Sequence, residues 1–281
     1  MDTETRRRAR GSLGARGSLA FLIVCAVGFA APAAAQWREL APGLDLAEFP
    51  AEEGGPSAIR VVRADPVRWE PVLLCASAPG QGTLRSTGEW CEAEGLAAAV
   101  NASMYQKDYL TSTAHLRHDG HVNNSYVSKD NTVLLFDPLD DADPPLTLLD
   151  RTCEDLDAAA ARYRTAVQGI RMVSCRGNNV WSPQDRRASV ACLGVDGAGR
   201  LLLIHCRAEL SVHDLTARLL ALPLDLRRCQ YAEGGKQAQL SVRAGGVSED
   251  WTGRMRGIFG QDVSVSGWPV PNVVGLRARR N

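Results

Sequence analysis

The sequence predicts an α+β protein, a mixed and largely antiparallel sheet with a few packed helices. Three observations carry that expectation. Short apolar runs bounded by Gly, Pro and Asp turns recur along the second half of the chain. One amphipathic stretch, with Leu215, Leu219 and Leu222 on a single stripe, is wedged between two such runs. The chain also carries no internal repeat and no low-complexity tract.

Residues 1–35 have the organisation of a secretory leader. "RRRAR" is the basic region, "LAFLIVCAVGFAA" the apolar run and "APAAAQW" the small-residue cleavage site, with cleavage expected after Ala35. The apolar run is short of the ~20 residues a membrane span needs. Val24 before Cys25 argues against a lipoprotein leader, and the early arginines leave a twin-arginine signal as the alternative. The expectation is an exported protein, periplasmic or secreted, with no transmembrane segment after cleavage and one domain over residues 36–281.

Downstream, "SAIRVVRADPVRWEPVLLCAS" is expected as two strands broken at Pro66, and a short helix is expected from a Thr87 cap. "LAAAVNA" fits a buried strand ending at Asn101, Asp119-Gly120 a hairpin turn, and "NTVLLFDP" another strand. "LDDADPP" is a surface loop, and "CEDLDAAAARYRTAVQG" is expected as a helix. Strands "RRASVACLGVD" and "GRLLLIHCRA" are joined by "DGAG", and Ser211 opens the amphipathic helix. "LRRCQYAEGG", "AQLSVRAGG" and "WPVPNVVGLRAR" complete the strand set.

Composition excludes some partners. Acidic and basic side chains balance at 32 each, so no bulk field favours nucleic acid or an anionic membrane. Of eight cysteines, Cys25 lies in the leader, leaving seven, and no two form a Cys-x-x-Cys knuckle for structural zinc. In an oxidising compartment such thiols pair, and local staples Cys75–Cys91 and Cys153–Cys175 are expected.

Chemistry centres on "CQYAEGGKQAQL". Glu233 stands at a strand end before Gly234 and Gly235, which tolerate positive φ and let backbone amides approach a ligand. The bland alternative is a tight turn with a solvated acid. The order of elements decides between them: strand, Asp-Gly turn, strand, helix, strand, acid-Gly-Gly, strand, then "PVPNVV". With "NASMY" at Asn101–Tyr105 and "RRASVACLGVDGAGRLLLIH", this order resembles the phosphodiester glycosidase family from about Val72 to Leu276. Two departures stand out: Glu233 occupies the place of the family's usual Asp, and Lys236 and Gln237 replace a Gly and a Ser.

The resemblance implies a hydrolase that cleaves a sugar-1-phosphodiester to free sugar and phosphomonoester in an envelope or extracellular glycan. Glu233 would act on the sugar side and Arg187, preferred over Arg186, would grip phosphate. Asn101, Gln168, Gly234, Gly235 and Lys236 would bind substrate, a phosphosugar or polysaccharide. No cofactor is implied, and a divalent metal requirement stays open. The alternative is a non-catalytic phosphosugar-binding envelope module of the same fold, its pocket crowded by Lys236 and Gln237. His205, Trp181 and Trp268 are expected as core or rim, and His213 on the surface of its helix. The hairpin at Asp119-Gly120 is expected to scatter His115, His118 and His121.

Overall fold

The computed structural model describes residues 37–52, 55, 57–257, 261–263 and 267–280. The expected leader, residues 1–35, lies outside them. Along the chain run β1 (Arg38–Ala41), β2 (Leu44–Pro50), β3 (Ala58–Ala64), β4 (Trp69–Cys75), α1 (Thr87–Glu94), β5 (Ala98–Asn101), β6 (Leu116–His118) and β7 (His121–Asn124). Then come β8 (Thr132–Pro138), β9 (Leu146–Asp150), α2 (Leu156–Ala160), β10 (Tyr163–Val173), β11 (Ala188–Asp196), β12 (Leu201–Leu210), α3 (Val212–Ala221) and β13 (Leu226–Gly234). A 3-10 turn (Gly235–Gln237) leads to β14 (Gln239–Ala244), β15 (Val247–Thr252), β16 (Met255–Arg256), β17 (Asp262–Val263) and β18 (Asn272–Ala278).

The pairings are antiparallel throughout, so the α+β expectation holds. A large sheet runs in the order β1-β2-β3-β12-β11-β13-β10-β6-β7, with β8 also on β10 and β9 on β8. A smaller sheet runs β15-β14-β5-β18-β4. Leu46, Val62, Leu193 and Leu203 of the large sheet share one core cluster with Val100, Leu240, Val242 and Leu276 of the smaller one. The sheets therefore face each other across a common apolar layer.

Each outer face carries a helix. Wholly buried Leu215 and Leu219 of α3 join Val61, Val190 and Ile204 on the far side of the large sheet. Each such burial is worth about 2 kcal/mol against exposure. Trp90 of α1 packs with Ala99 and Val273 on the smaller sheet's outside.

Helix starts follow local chemistry. The Ser211 hydroxyl accepts from the Asp214 amide at 3.0 Å, opening α3 as expected. The cap of α1 is Ser86 rather than Thr87, because Ser86 and Glu89 close a reciprocal capping box. The helix expected over "CEDLDAAAARYRTAVQG" shrinks to five residues, and Tyr163 onward is strand β10. Alanine-rich propensity loses there to ladders with β8 on one side and β13 on the other.

Cys153 and Cys175 form a disulfide. Cys75 and Cys91 stay free and buried, contrary to expectation, because Cys75 faces the inter-sheet layer while Cys91 lies in the cluster under α1. Among the described residues no helix is long and apolar enough to cross a membrane.

Candidate functional site

The site forms where β13 ends. Opposite β11, Ala191 pairs with Glu233 and Cys192 pairs with Tyr231, so Ala232 is an extra residue, a β-bulge. A bulge breaks strict alternation and re-aims the side chain beyond it. Glu233 thereby joins a transverse row through five strands, Glu48–Arg60–His205–Ala191–Glu233, each residue directly opposite the next. Arg60 is ion-paired with Glu48 at 3.2 Å. His205 is wholly buried, and burial followed by the Arg60 charge lowers its pKa to about 3, so it is neutral.

Glu233 accepts a hydrogen bond from the Gly234 amide at 2.9 Å and forms no ion pair among the described residues. Burial raises its carboxyl to about 7, with the Gly234 amide opposing only in part. Two tyrosines flank it. The phenol of Tyr231 is pushed up by burial and by Glu233 and drawn down by Arg186. That of Tyr105 is raised by burial and by Glu233, with Trp268 and Gln237 beside it. The Tyr105 hydroxyl itself is buried, and Trp268 and Gln237 are the polar side chains beside it.

The diglycine works differently from expectation. Gly235 has φ +69° and needs to be glycine. Gly234 is extended, at φ −139°; a Cβ there would lie 1.9 Å from the Tyr231 hydroxyl. Its bareness makes room for a tyrosine. The 3-10 turn is backed by Gly253, where a Cβ would sit 1.8 Å from the Gly235 carbonyl oxygen. Asn101 clamps its other side, donating to the Gln237 carbonyl at 3.0 Å and accepting from the Gln239 amide at 2.7 Å. Lys236 is spent on the face of Trp268, its Nζ 3.7 Å from the ring centroid.

Of the two arginines, Arg187 reaches α3 and pairs with Asp214 at 3.4 Å, both exposed. Arg186 lines a cavity of about 140 Å³ with Tyr231, Trp181, Met104 and Gln184. Both arginines are exposed, and a one-residue shift before β11 puts Arg186, not the expected Arg187, in the cavity lining with Tyr231. Gln168 is held by the scaffold. Its amide is saturated, accepting from the His115 and Ser128 amides at 3.2 and 3.0 Å and donating to the Ser128 and Asp130 carbonyls at 3.1 and 2.7 Å. A roomier hollow of about 550 Å³ sits elsewhere, beside Glu70, Asp137 and Arg279.

The sequence argument passed over Tyr105 and Tyr231. The available signals were Tyr105's place at the end of "NASMY" and Tyr231's spacing two residues before the acid. The histidines also differ from expectation: the hairpin opposes His118 and His121, rings 5.3 Å apart, and turns only His115 away, to the Asn124 carbonyl. Among the described residues one group has metal-ligand spacing, Asp150 with Cys153 and Cys175. The disulfide consumes both thiols, and Arg171 with three N–H and O–H donors saturates the carboxylate.

The phosphodiester glycosidase family model matches residues 94–277, spanning every element named above from the end of α1 to β18. Among solved structures, the zebrafish N-acetylglucosamine-1-phosphodiester alpha-N-acetylglucosaminidase catalytic domain, auto-inhibited by its pro-peptide, superposes with a TM-score of 0.60 at 13% identity. That match covers 88% of this chain and 87% of the zebrafish chain. A hypothetical protein from Synechocystis superposes with a TM-score of 0.59 at 13% identity, over 89% of this chain and 64% of the other. No curated protein sequence matches this chain.

Proposed function

The chain belongs to the phosphodiester glycosidase family, and from that premise we propose that it is an exported hydrolase of sugar-1-phosphodiesters in envelope or extracellular glycans. The observation that carries this proposal is Glu233, a half-buried carboxylate held off the strand's alternation by the Ala232 bulge and, among the described residues, without a cationic partner. A carboxyl that titrates near neutrality is matched to proton transfer at working pH.

In the proposed reaction a water attacks the anomeric carbon and gives its proton to Glu233. The bond from that carbon to the phosphate oxygen breaks, and its electron pair leaves with the phosphomonoester. Phosphate is a good leaving group, so the cation needed is one that holds its charge. Arg186, beside Tyr231 in the cavity, takes that place in preference to Arg187, already paired with Asp214. Asn101 and Gly235 act at one remove by fixing the turn behind the acid. Gln168 is assigned to the scaffold, and Lys236 and Gly234 to packing against Trp268 and Tyr231.

A second proposal, a non-catalytic phosphosugar-binding module, is favoured by one feature, the filling of the turn by Lys236 on Trp268. An assay on aryl sugar-1-phosphodiesters separates the two. Glu233→Gln and Arg186→Ala are each expected to lower kcat by about a hundredfold or more, the scale for losing one acid-base or charge-stabilising group. Arg187→Ala is expected to change it less than about threefold, as for an exposed pair. Binding without turnover by the unaltered protein sinks the hydrolase in favour of the module.

A further inference from the structure

Of the eight large apolar side chains that are exposed among the described residues, Tyr109, Leu110, Val122, Tyr126 and Val127 sit on one excursion between β5 and β8. Tyr109 is 55% exposed and has φ 59°, a left-handed conformation that costs a bulky residue of order 1–3 kcal/mol. The loop enforces it. Asp108 accepts from the Leu110 and Thr111 amides at 3.0 Å each, Gln106 donates to the Thr111 carbonyl at 2.7 Å, and Asn123 holds the Leu110 carbonyl at 3.0 Å. The result is a fixed backbone that presents an aromatic ring to solvent.

That ring is not isolated. It meets the Tyr105 ring at 5.9 Å and 45°. Tyr105 follows the strand whose last residue, Asn101, clamps the turn after Glu233. Tyr109 is exposed, Tyr105 is half-buried, and the Tyr105 phenol feels the charge of Glu233, so the pair leads from the surface toward the carboxylate. On Glu233's other flank, Tyr231 shares the cavity with Arg186, the end assigned to phosphate. Neighbouring aromatic rings with polar tips suit the apolar faces and hydroxyl rims of sugar rings.

We propose that Tyr105 and Tyr109 form an aromatic platform for the sugar next to the one being cleaved, so that this site takes an oligosaccharide-1-phosphodiester in preference to a single sugar-1-phosphodiester. This rests on the hydrolase assignment for its chemistry, but the platform itself is a binding property.

The test compares matched mono- and disaccharide 1-(aryl phosphates) of glucose, mannose and N-acetylglucosamine, by kcat/KM on the full chain. In parallel, calorimetry on Glu233→Gln protein measures the Kd of the same ligands. The expected preference for the disaccharide is about tenfold in at least one sugar series, the upper range of one aromatic contact. Tyr109→Ala is expected to bring that ratio to about one, and Tyr109→Trp to restore it, as a ring contact requires. A ratio near one in every series, or one that Tyr109→Ala leaves intact, overturns the platform. A tenfold binding preference with no turnover of any ligand keeps the platform and removes the hydrolase.

Discussion

Two carboxylates at strand ends of this protein are treated in opposite ways. Asp150, wholly buried at the end of β9, accepts from the Thr152 amide and hydroxyl, the Cys175 amide and Arg171. Burial pushes its carboxyl up, but those donors outweigh it and hold the group below the usual carboxylate range. Glu233 at the end of β13 receives one backbone amide, and burial takes it to about 7. The same residue chemistry at two strand ends is a saturated anchor in one place and a sparsely bonded carboxyl in the other. The difference lies in the number of donors around it.

The two sites should therefore respond oppositely to mutation and pH. The largest effect expected is for Asp150→Ala, a loss of about 3–5 kcal/mol, because it leaves Arg171 without its buried partner. Denaturant unfolding at pH 7 measures this, and a loss below about 1 kcal/mol would erase the contrast. Glu233→Gln should instead stabilise. A carboxyl raised in the folded state binds more protons there than in the unfolded chain between pH ~4.5 and ~7, so stability falls as pH rises through that window. The gain from Glu233→Gln is expected to be near zero at pH 4 and to reach about 3 kcal/mol at pH 8. A pH-independent gain would show that packing, not charge, is the cause.

Reducing the Cys153–Cys175 disulfide, whose residues are 22 apart in sequence, should cost about 3 kcal/mol. Part of that cost should vanish in Asp150→Ala protein, because Cys175 supplies one of the four donors to Asp150. The smallest effect belongs to activity against pH. If Glu233 is the base, kcat/KM of the active protein should rise about tenfold per unit below pH ~7 and level off above it. A profile that falls through the same region would make Glu233 the acid.

Much of this architecture was legible in the sequence, and the unread parts share a cause. Strands β11 and β12, helix α3 and the acid at the end of β13 declare themselves through local alternation, a Ser211 cap and an Asp-Gly turn. Strand β10 does not, because its identity comes from β8 and β13, far away in sequence. Asn101 and Gln168 were visible as polar residues in apolar runs, but only their neighbours in space show that their amides are consumed by backbone. Arg186 and Arg187 differ by one position, and no periodicity assigns a face to residues that precede a strand. Strands β1, β2 and β15 were passed over because short stretches rich in charge carry little signal of their own, and β9 because its five residues are too few to show a period.

The extra residue at Ala232 has a consequence of another kind. It carries no functional group, and its identity contributes little beyond being small. Its contribution is arithmetic: one peptide unit more in β13 than in β11 between Tyr231 and Glu233 sets where every side chain after it falls. The placement of the acid is thus written in the length of the strand and not in its letters. A chain that kept every residue named here but lost Ala232 would present Glu233 out of phase with its surroundings, and no inspection of the remaining alphabet would show why.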